Sequence, residues 1–284
     1  MHKLFVLALF CSAVTFGFSQ ASYNYNTFDY PGALQTYPSA INNSGEIVGY
    51  FIDSDNLTHG FSYLNGTFAT INAPHATLTT ARGINNRGVI VGSFDPSSST
   101  TEGFIMRNKT FEVLTMPGTT FTSANAINDS GVVAGTYSTA NSDGGYLWTS
   151  QGGFRTVDYP NSTSTSINAI NDAGQLAGQV SPPFISAFLY SGGQWADFYY
   201  PGAMTTTGDG INQSGEIVGI WSPSNPTAPS EGFLRDLNGD FSEIAFPGSN
   251  GSAASGINDA GMIVGNYTDS SGKEHGFVAI PGEK

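Results

Sequence analysis

The sequence predicts an all-β fold, and within that class a six-bladed β-propeller of four-stranded blades whose last blade is completed by the N-terminal strand. Three observations predict it. The phrase Ile-Asn-x-x-Gly occurs six times, opening at Ile41, Ile84, Ile127, Ile170, Ile211 and Ile257, in steps of 43, 43, 43, 41 and 46 residues. A fixed period of this length marks a repeat architecture. Each period divides into four strand-like segments with Gly-rich turns and recurring aromatics, the pattern of a propeller blade. Finally, the segment missing from the last period is present ahead of the first. Composition agrees, because charged residues make up only 11% of the chain while Gly, Ser, Thr and Asn abound, a mix that suits strands and turns.

The first strand of each period ends in the repeated phrase, as at Ser39-Ala40-Ile41. The Asn-x-x-Gly that follows predicts a hairpin turn, since Asn can bond its own turn backbone and Gly supplies positive φ. The second strand is short and apolar: Ile47-Val48-Gly49, Ile90-Val91-Gly92, Val133-Ala134-Gly135, Leu176-Ala177-Gly178, Ile217-Val218-Gly219 and Ile263-Val264-Gly265. It does not alternate, which predicts cover on both faces. The third strand carries Phe61, Phe104, Tyr146, Phe188, Phe233 or Phe277. The fourth holds an aromatic six residues before a proline: Phe68/Pro74, Phe111/Pro117, Phe154/Pro160, Trp195/Pro201 and Phe241/Pro247. Proline cannot donate to a ladder, so it ends this outer strand.

The sixth period stops soon after Phe277, without a fourth strand, yet Tyr25 stands six residues before Pro31. A ring closed by its own N-terminal segment needs this arrangement, and closure removes free sheet edges. An open β-solenoid is the alternative; it leaves the displaced strand unexplained and needs caps. From proline to the next isoleucine is ten residues in every unit, and from isoleucine to the second-strand glycine always eight. From that glycine to the third-strand aromatic the spacing is 12, 12, 11, 10, 14 and 12. The blade-to-blade crossing and this variable loop emerge on one face of a propeller, and length variation confined to one face points to a binding face.

Residues 1–21 read as a secretory leader, with Lys3 at the start, an apolar run from Leu4 to Phe18 and small residues before a cut after Ala21. Residues 22–284 then form a single domain. The only cysteine, Cys11, lies in the leader, and Phe10 before it is too large for a lipoprotein site, so neither disulfide nor lipid anchor is expected. No later stretch suits a membrane span. The formal net charge of −13 disfavours nucleic acid and anionic membrane. The expected protein is a monomer, secreted outside the cell or to the periplasm.

The phrases His59-Gly60-Phe61, Ser186-Ala187-Phe188-Leu189-Tyr190 and His275-Gly276-Phe277 resemble the His-Ala-Phe signature of the bacterial extracellular HAF-repeat family. The Ile-Asn-x-x-Gly-x-Ile-Val-Gly phrases look like that family's too, and the resemblance spans residues 23–284. The chain departs from the pattern in keeping His in only two units. The resemblance implies secretion and a repetitive architecture, and brings no catalytic residues with it.

Innermost strands line a propeller's channel. Two residues before each repeated isoleucine stands a varying residue: Ser39, Arg82, Asn125, Asn168, Asp209 or Ser255, always followed by Ala or Gly. These six are the candidate ligand-binding residues of a polar funnel. Arg82 and Asp209, three units apart, would be opposed charges, and Asn125 and Asn168 hydrogen-bonding groups. The bland alternative is that they solvate the channel mouth or bridge to each other. His59 and His275 could open a zinc site, but their counterparts Glu102, Gly144, Ser186 and Glu231 favour a strand-start hydrogen-bonding role. Calcium is the weak cofactor candidate, at Asp53-Ser54-Asp55-Asn56 and Asp269, without the full loop pattern. Trp195 reads as core; Trp221 and Tyr50 are either rim packing or sugar-stacking groups. No nucleophile elbow, phosphate loop or His-Glu-x-x-His occurs. The expected function is a non-catalytic binding or scaffolding module for an extracellular polymer, glycan or protein. The alternative is a glycan hydrolase or lyase working in the channel.

Overall fold

The computed structural model describes residues 22–97, 100–181 and 185–282, so the leader read over residues 1–21 lies outside the described residues. Every regular element among them is a strand. No helix among them is long and apolar enough to cross a membrane.

Strand β1 (Tyr23–Phe28) precedes the repeats. The first repeat forms β2 (Gln35–Ile41), β3 (Ile47–Ile52), β4 (Thr58–Leu64) and β5 (Thr67–Ile71). The second forms β6 (Leu78–Ile84), β7 (Ile90–Ser97), β8 (Thr100–Arg107) and β9 (Thr110–Leu114). The third forms β10 (Phe121–Ile127), β11 (Val133–Ser138), β12 (Asp143–Thr149) and β13 (Gly153–Thr156). Next come β14 (Ser164–Ile170), β15 (Leu176–Ser181), β16 (Ser186–Ser191) and β17 (Gln194–Phe198). The fifth repeat gives β18 (Ala203–Ile211), β19 (Ile217–Pro223), β20 (Glu231–Arg235) and β21 (Phe241–Ile244). The last gives β22 (Ser252–Ile257), β23 (Ile263–Thr268) and β24 (Glu274–Pro281). The sheets run β2-β3-β4-β5, β18-β19-β20-β21 and β1-β24-β23-β22, and the strands from β6 to β17 form one larger sheet. Within that larger sheet β8 touches β10, and β12 touches β14, through one parallel residue pair each.

Three local devices recur. The Asn of each phrase is buried, and its Oδ1 accepts the N–H four residues on, from Glu46, Val89, Val132, Gln175, Glu216 or Met262. The phrase glycines, from Gly45 to Gly261, all take positive φ, as the turn requires. The second-strand glycine is needed for space. A Cβ on Gly92 would run into the Thr80 carbonyl and the Phe104 ring, and Gly135 and Gly178 are placed alike. The crossing is held by a hydroxyl: Thr36, Thr79, Thr122, Thr165, Thr206 and Ser252 each accept the N–H of the residue six earlier at 2.9–3.1 Å. The residue after each proline has positive φ, at Gly32, His75, Gly118, Asn161, Gly202 and Gly248, the type II arrangement that proline prepares. Turn and hydroxyl together account for the constant ten-residue spacing.

The aromatics form the core. The six third-strand rings are fully buried, each contributing roughly 1.5–3 kcal/mol by the usual scale for a buried apolar side chain. Five of them meet the fourth-strand aromatic at centroid distances of 4.9–5.5 Å. Phe277 meets Tyr25 of β1 at 5.6 Å instead. β1 pairs with β24 along its length, from Tyr23 opposite Pro281 to Phe28 opposite Gly276. The displaced strand of the sequence reading is thus β1.

Candidate functional site

The first strand of every repeat contains a β-bulge. Its pairing with the second strand skips one residue: between Pro38 and Ala40, Ala81 and Gly83, Ala124 and Ala126, Ile167 and Ala169, Gly208 and Gly210, and Ala254 and Gly256. The skipped residues are Ser39, Arg82, Asn125, Asn168, Asp209 and Ser255. A bulge re-aims its extra side chain, and here all six point to one shared cavity. The small residue that follows is a close-approach site, since a Cβ on Gly83 would meet the backbone of Asn125 and Ala126, and one on Gly256 the backbone of Ser39 and Ala40.

Beyond these six, the cavity opens into a vestibule of about 340 Å³ that Tyr37, Tyr50, Ile220 and Asn266 also line. Tyr50, Ile220 and Asn266 follow the second-strand glycines, so the wide mouth lies on the side of the crossings and the variable loops. At the other end of the first strands a space of about 70 Å³ is lined by the Asn and Asp side chains of the turn phrases.

Hydrogen bonds divide the lining in two. Asn125 Nδ2 donates to the Ile167 carbonyl at 2.9 Å and to Thr136 Oγ1, while its Oδ1 accepts from Ser123. Asn168 Nδ2 donates to the Gly208 carbonyl and to Asp209 Oδ1 at 3.0 Å, and its Oδ1 accepts from Ser166. Asp209 Oδ2 accepts from Thr207 at 2.8 Å. These three lining groups are therefore largely satisfied by neighbours. On the other half, among the described residues Arg82 donates only through Nε, to Ser93 Oγ at 3.3 Å, and no side-chain hydrogen bond ties down Ser39 or Ser255. Arg82 and Asp209 line the same cavity, and no ion pair joins them among the described residues. Desolvation pushes the Asp209 carboxyl up to about 6, against the pull of its bonds to Thr207 and Asn168. Desolvation likewise pulls the Arg82 guanidinium down, partly offset by Tyr50.

His59 and His275 do the strand-start work the sequence suggested. His59 bridges Asn72 Oδ1 at 2.9 Å and Asp53 Oδ2 at 3.0 Å. His275 bridges Asp29 Oδ2 at 2.7 Å and Asp269 Oδ2 at 3.3 Å. Among the described residues no group of three or more metal-type side chains is arranged to hold an ion. The Asp53 and Asp269 carboxylates fold their own turns, with Oδ1 accepting the N–H of Asp55 and Leu57, or of Ser271 and Lys273. The Leu57 N–H chiefly holds the Asp53 carboxyl below the usual range, and the Ser271 hydroxyl, donating to Asp269 Oδ1 at 2.7 Å, and then the Lys273 N–H hold Asp269 down, His59 and His275 adding to the effect. An Asp six residues before the His is the sequence signal for this clamp. Trp195 packs half-buried against the core, on Phe188 and Tyr190. Trp221 stacks on Tyr200 at 4.4 Å, and Tyr50 on Tyr37 at 4.8 Å.

The inter-repeat role of the turn residues was not legible in sequence. Asn43, Asn86, Asp129, Asp172 and Gln213 each donate their backbone N–H to the side chain at the same place in the next repeat, and Asp259 donates to Asn43 Oδ1. The chain of six bonds returns to its start. Inside it, Asn42, Asn85, Asn128, Asn171 and Asn258 donate through Nδ2 to the next repeat's Asn carbonyl. Asn212, where the repeat step is longest, turns to Glu216 instead.

No family model matches the chain, and no curated protein matches it. Solved structures do. TolB from Acinetobacter baumannii aligns with TM-score 0.61 and 11% identity over 84% of this chain and 64% of that one. A catalytically inactive virginiamycin B lyase from Staphylococcus aureus, bound to quinupristin, aligns with TM-score 0.54 and 11% identity, covering 91% of this chain and all of that one. SapL1 lectin in complex with alpha methyl fucoside aligns with TM-score 0.56 and 11% identity over 88% and 96% of the two chains. Identity this low carries the fold alone: an all-β, propeller-like arrangement.

Proposed function

We propose that this protein is a secreted six-bladed β-propeller of the HAF-repeat type, a monomer that binds an extracellular polymer, in first place a glycan, without chemical change. The binding face is the one bearing the crossings and variable loops. The six-fold ring is supported by the cycle of turn bonds from Asn43 through Asp259 and back, and by β1 taking the outer-strand place beside β24. The leader and the His-Gly-Phe phrases support secretion. One observation carries the binding reading: six aligned bulges aim six polar side chains of four kinds, Ser, Arg, Asn and Asp, into one cavity, where a single repeated residue would serve packing equally well. Propellers host many functions, so the site and not the fold must bear this conclusion. The lectin among the structural relatives, with its fucoside, is consistent with it.

A glycan-active hydrolase or lyase is the second reading, favoured by Asp209, whose raised carboxyl would suit a general acid. Canonical glycoside hydrolysis uses two carboxyl groups flanking the bond, and Asp209 is the one carboxylate lining the wide end of the cavity among the described residues. That favours binding. A glycan array run beside a hydrolase and lyase activity screen separates the two. Retention of intact oligosaccharide is the expected result; release of shortened or unsaturated products would replace the binding reading with the enzymatic one.

A further inference from the structure

The two halves of the lining differ in what they leave free. Asn125, Asn168 and Asp209, in three consecutive repeats, spend their polar atoms on each other and on neighbouring backbone. Ser255, Ser39 and Arg82, in the next three going round, make no bonds of this kind among the described residues beyond the one from Arg82 to Ser93. Ser93 fixes Arg82 through Nε, which leaves Nη1 and Nη2 without a protein partner among the described residues. That free edge is the part of a guanidinium that takes a carboxylate with two parallel bonds. No carboxylate among the described residues pairs with it. Asp209 is held by Asn168 and Thr207, and Glu274, behind Asn266 at the vestibule wall, accepts from Asn266 at 2.7 Å and Thr268 at 2.6 Å.

Arg82 is exposed at its bulge, so this free edge is open to a ligand arriving from solvent. The same vestibule contains the stacked Tyr37–Tyr50 pair, an aromatic surface against which a sugar ring can rest. Its volume of about 340 Å³ lies at the small end of the roughly 300–1,000 Å³ found for small-ligand sites, room for one sugar residue more readily than a chain.

We propose that the wide mouth of the cavity receives a uronic-acid residue of an acidic glycan, its carboxylate paired with the free edge of Arg82, its hydroxyls facing Ser39 and Ser255 and its ring beside Tyr50. This rests on the glycan-binding reading and names the sugar class. An acidic peptide would share the carboxylate but not the ring.

The test is titration calorimetry on the full mature chain with trigalacturonate, its fully methyl-esterified form and a triglutamate peptide, using wild type, Arg82→Gln, Arg82→Lys and Ser255→Tyr. Trigalacturonate should bind wild type, more weakly as salt rises. The ester and Arg82→Gln should each weaken binding by about 10- to 100-fold, the range for a charge-assisted bond. Arg82→Lys should fall between, and triglutamate should bind at least about tenfold more weakly. Ser255→Tyr, which narrows the mouth without touching charge, should weaken binding even where the Arg82 variants fold poorly. Equal affinity for acid and ester, or full binding by Arg82→Gln, overturns the proposal, and equal affinity for triglutamate overturns its sugar part. Neutral glycans retained on the array while trigalacturonate is ignored would sink the uronate assignment and spare the glycan reading. Failure of every glycan, neutral and acidic, would sink both.

Discussion

Asp209 shows how much a single bulged residue can be set apart by its surroundings. Its six-repeat position is polar throughout, yet only here does a carboxylate face the cavity, and desolvation raises it to about 6 from an ordinary 3.8. A carboxyl raised on folding adds stability that is fully present below its unfolded pKa and is lost as pH climbs through the folded one. The window is therefore about pH 4 to 6 for this residue. Asp209→Asn keeps the polar bonds to Thr207 and Asn168 within reach and removes the charge. Thermal melts across pH 4 to 8 should show the variant gaining on wild type as pH rises through that window, with little difference at the acid end. A constant offset at every pH would mean the carboxyl is not raised. Asp53 and Asp269 act with the opposite sign: held low by the Ser271 hydroxyl, by turn N–H groups and by His, they lend stability that falls away as pH drops. The candidate position itself was legible, because one residue per repeat varies between fixed neighbours. That the neighbours would consume Asn125 and Asn168 was not, since Ser123, Ser166 and the Ile167 carbonyl are recruited only by the bulge geometry.

At the scale of the element, the repeated phrase performs two jobs with one amide. Asn128 Oδ1 accepts the Val132 N–H at 3.0 Å, and its Nδ2 donates to the Asn171 carbonyl at 3.2 Å. The first job is local and follows from the Asn-x-x-Gly pattern; the second crosses to another repeat and leaves no trace in spacing. Asn128→Ala should cost about 1–3 kcal/mol, the cost of orphaning buried polar groups, read as a lower urea midpoint. An unchanged midpoint would remove the staple from the list of stabilising contacts. Second-strand glycines give a sharper contrast. Gly92→Ala drives a methyl group into the Thr80 carbonyl and the Phe104 ring and should cost about 1–3 kcal/mol, as overpacking does. Gly66→Ala meets no atom within 4 Å and bears only the strain of its positive φ, φ 82°, about 1–2 kcal/mol. Urea denaturation of both, with Phe104→Leu in the Gly92→Ala background, checks the cause: the smaller ring should return part of the loss.

For the whole molecule, the seam between the two ends of the chain is the point of vulnerability. Tyr25 seats on Phe277 and on Phe246 at 5.6 Å, and Asp29 holds His275. Deleting residues 22–31 removes all of this and bares the edge of β24. The deletion protein should melt early or aggregate, as an exposed edge does; an unchanged melting temperature would argue against the proposed ring. The core is shared across neighbouring repeats, as where Val48 and Ile71 pack with Phe104 of the next. Loss at the seam should therefore spread cooperatively and not stay confined to one sheet.

The period of the phrase, the apolar second strand, the aromatic third strand and the proline stop were all present in the chain as written, and so was the strand displaced to the N-terminus. They are readable because turns and strand faces obey short-range rules of spacing and backbone freedom. The direction in which Ser39, Arg82, Asn125, Asn168, Asp209 and Ser255 point, the division of that lining into a satisfied and a free half, and the cycle of bonds from Asn43 to Asp259 belong to the tertiary structure. The bulge aims each side chain through a strand pairing about ten residues away, while the shared cavity, the Asn125 and Asn168 bonds to the next repeat and the cycle of turn bonds need residues about 40 or more positions apart brought side by side, and sequence spacing has no way to say which partner a polar group will find there.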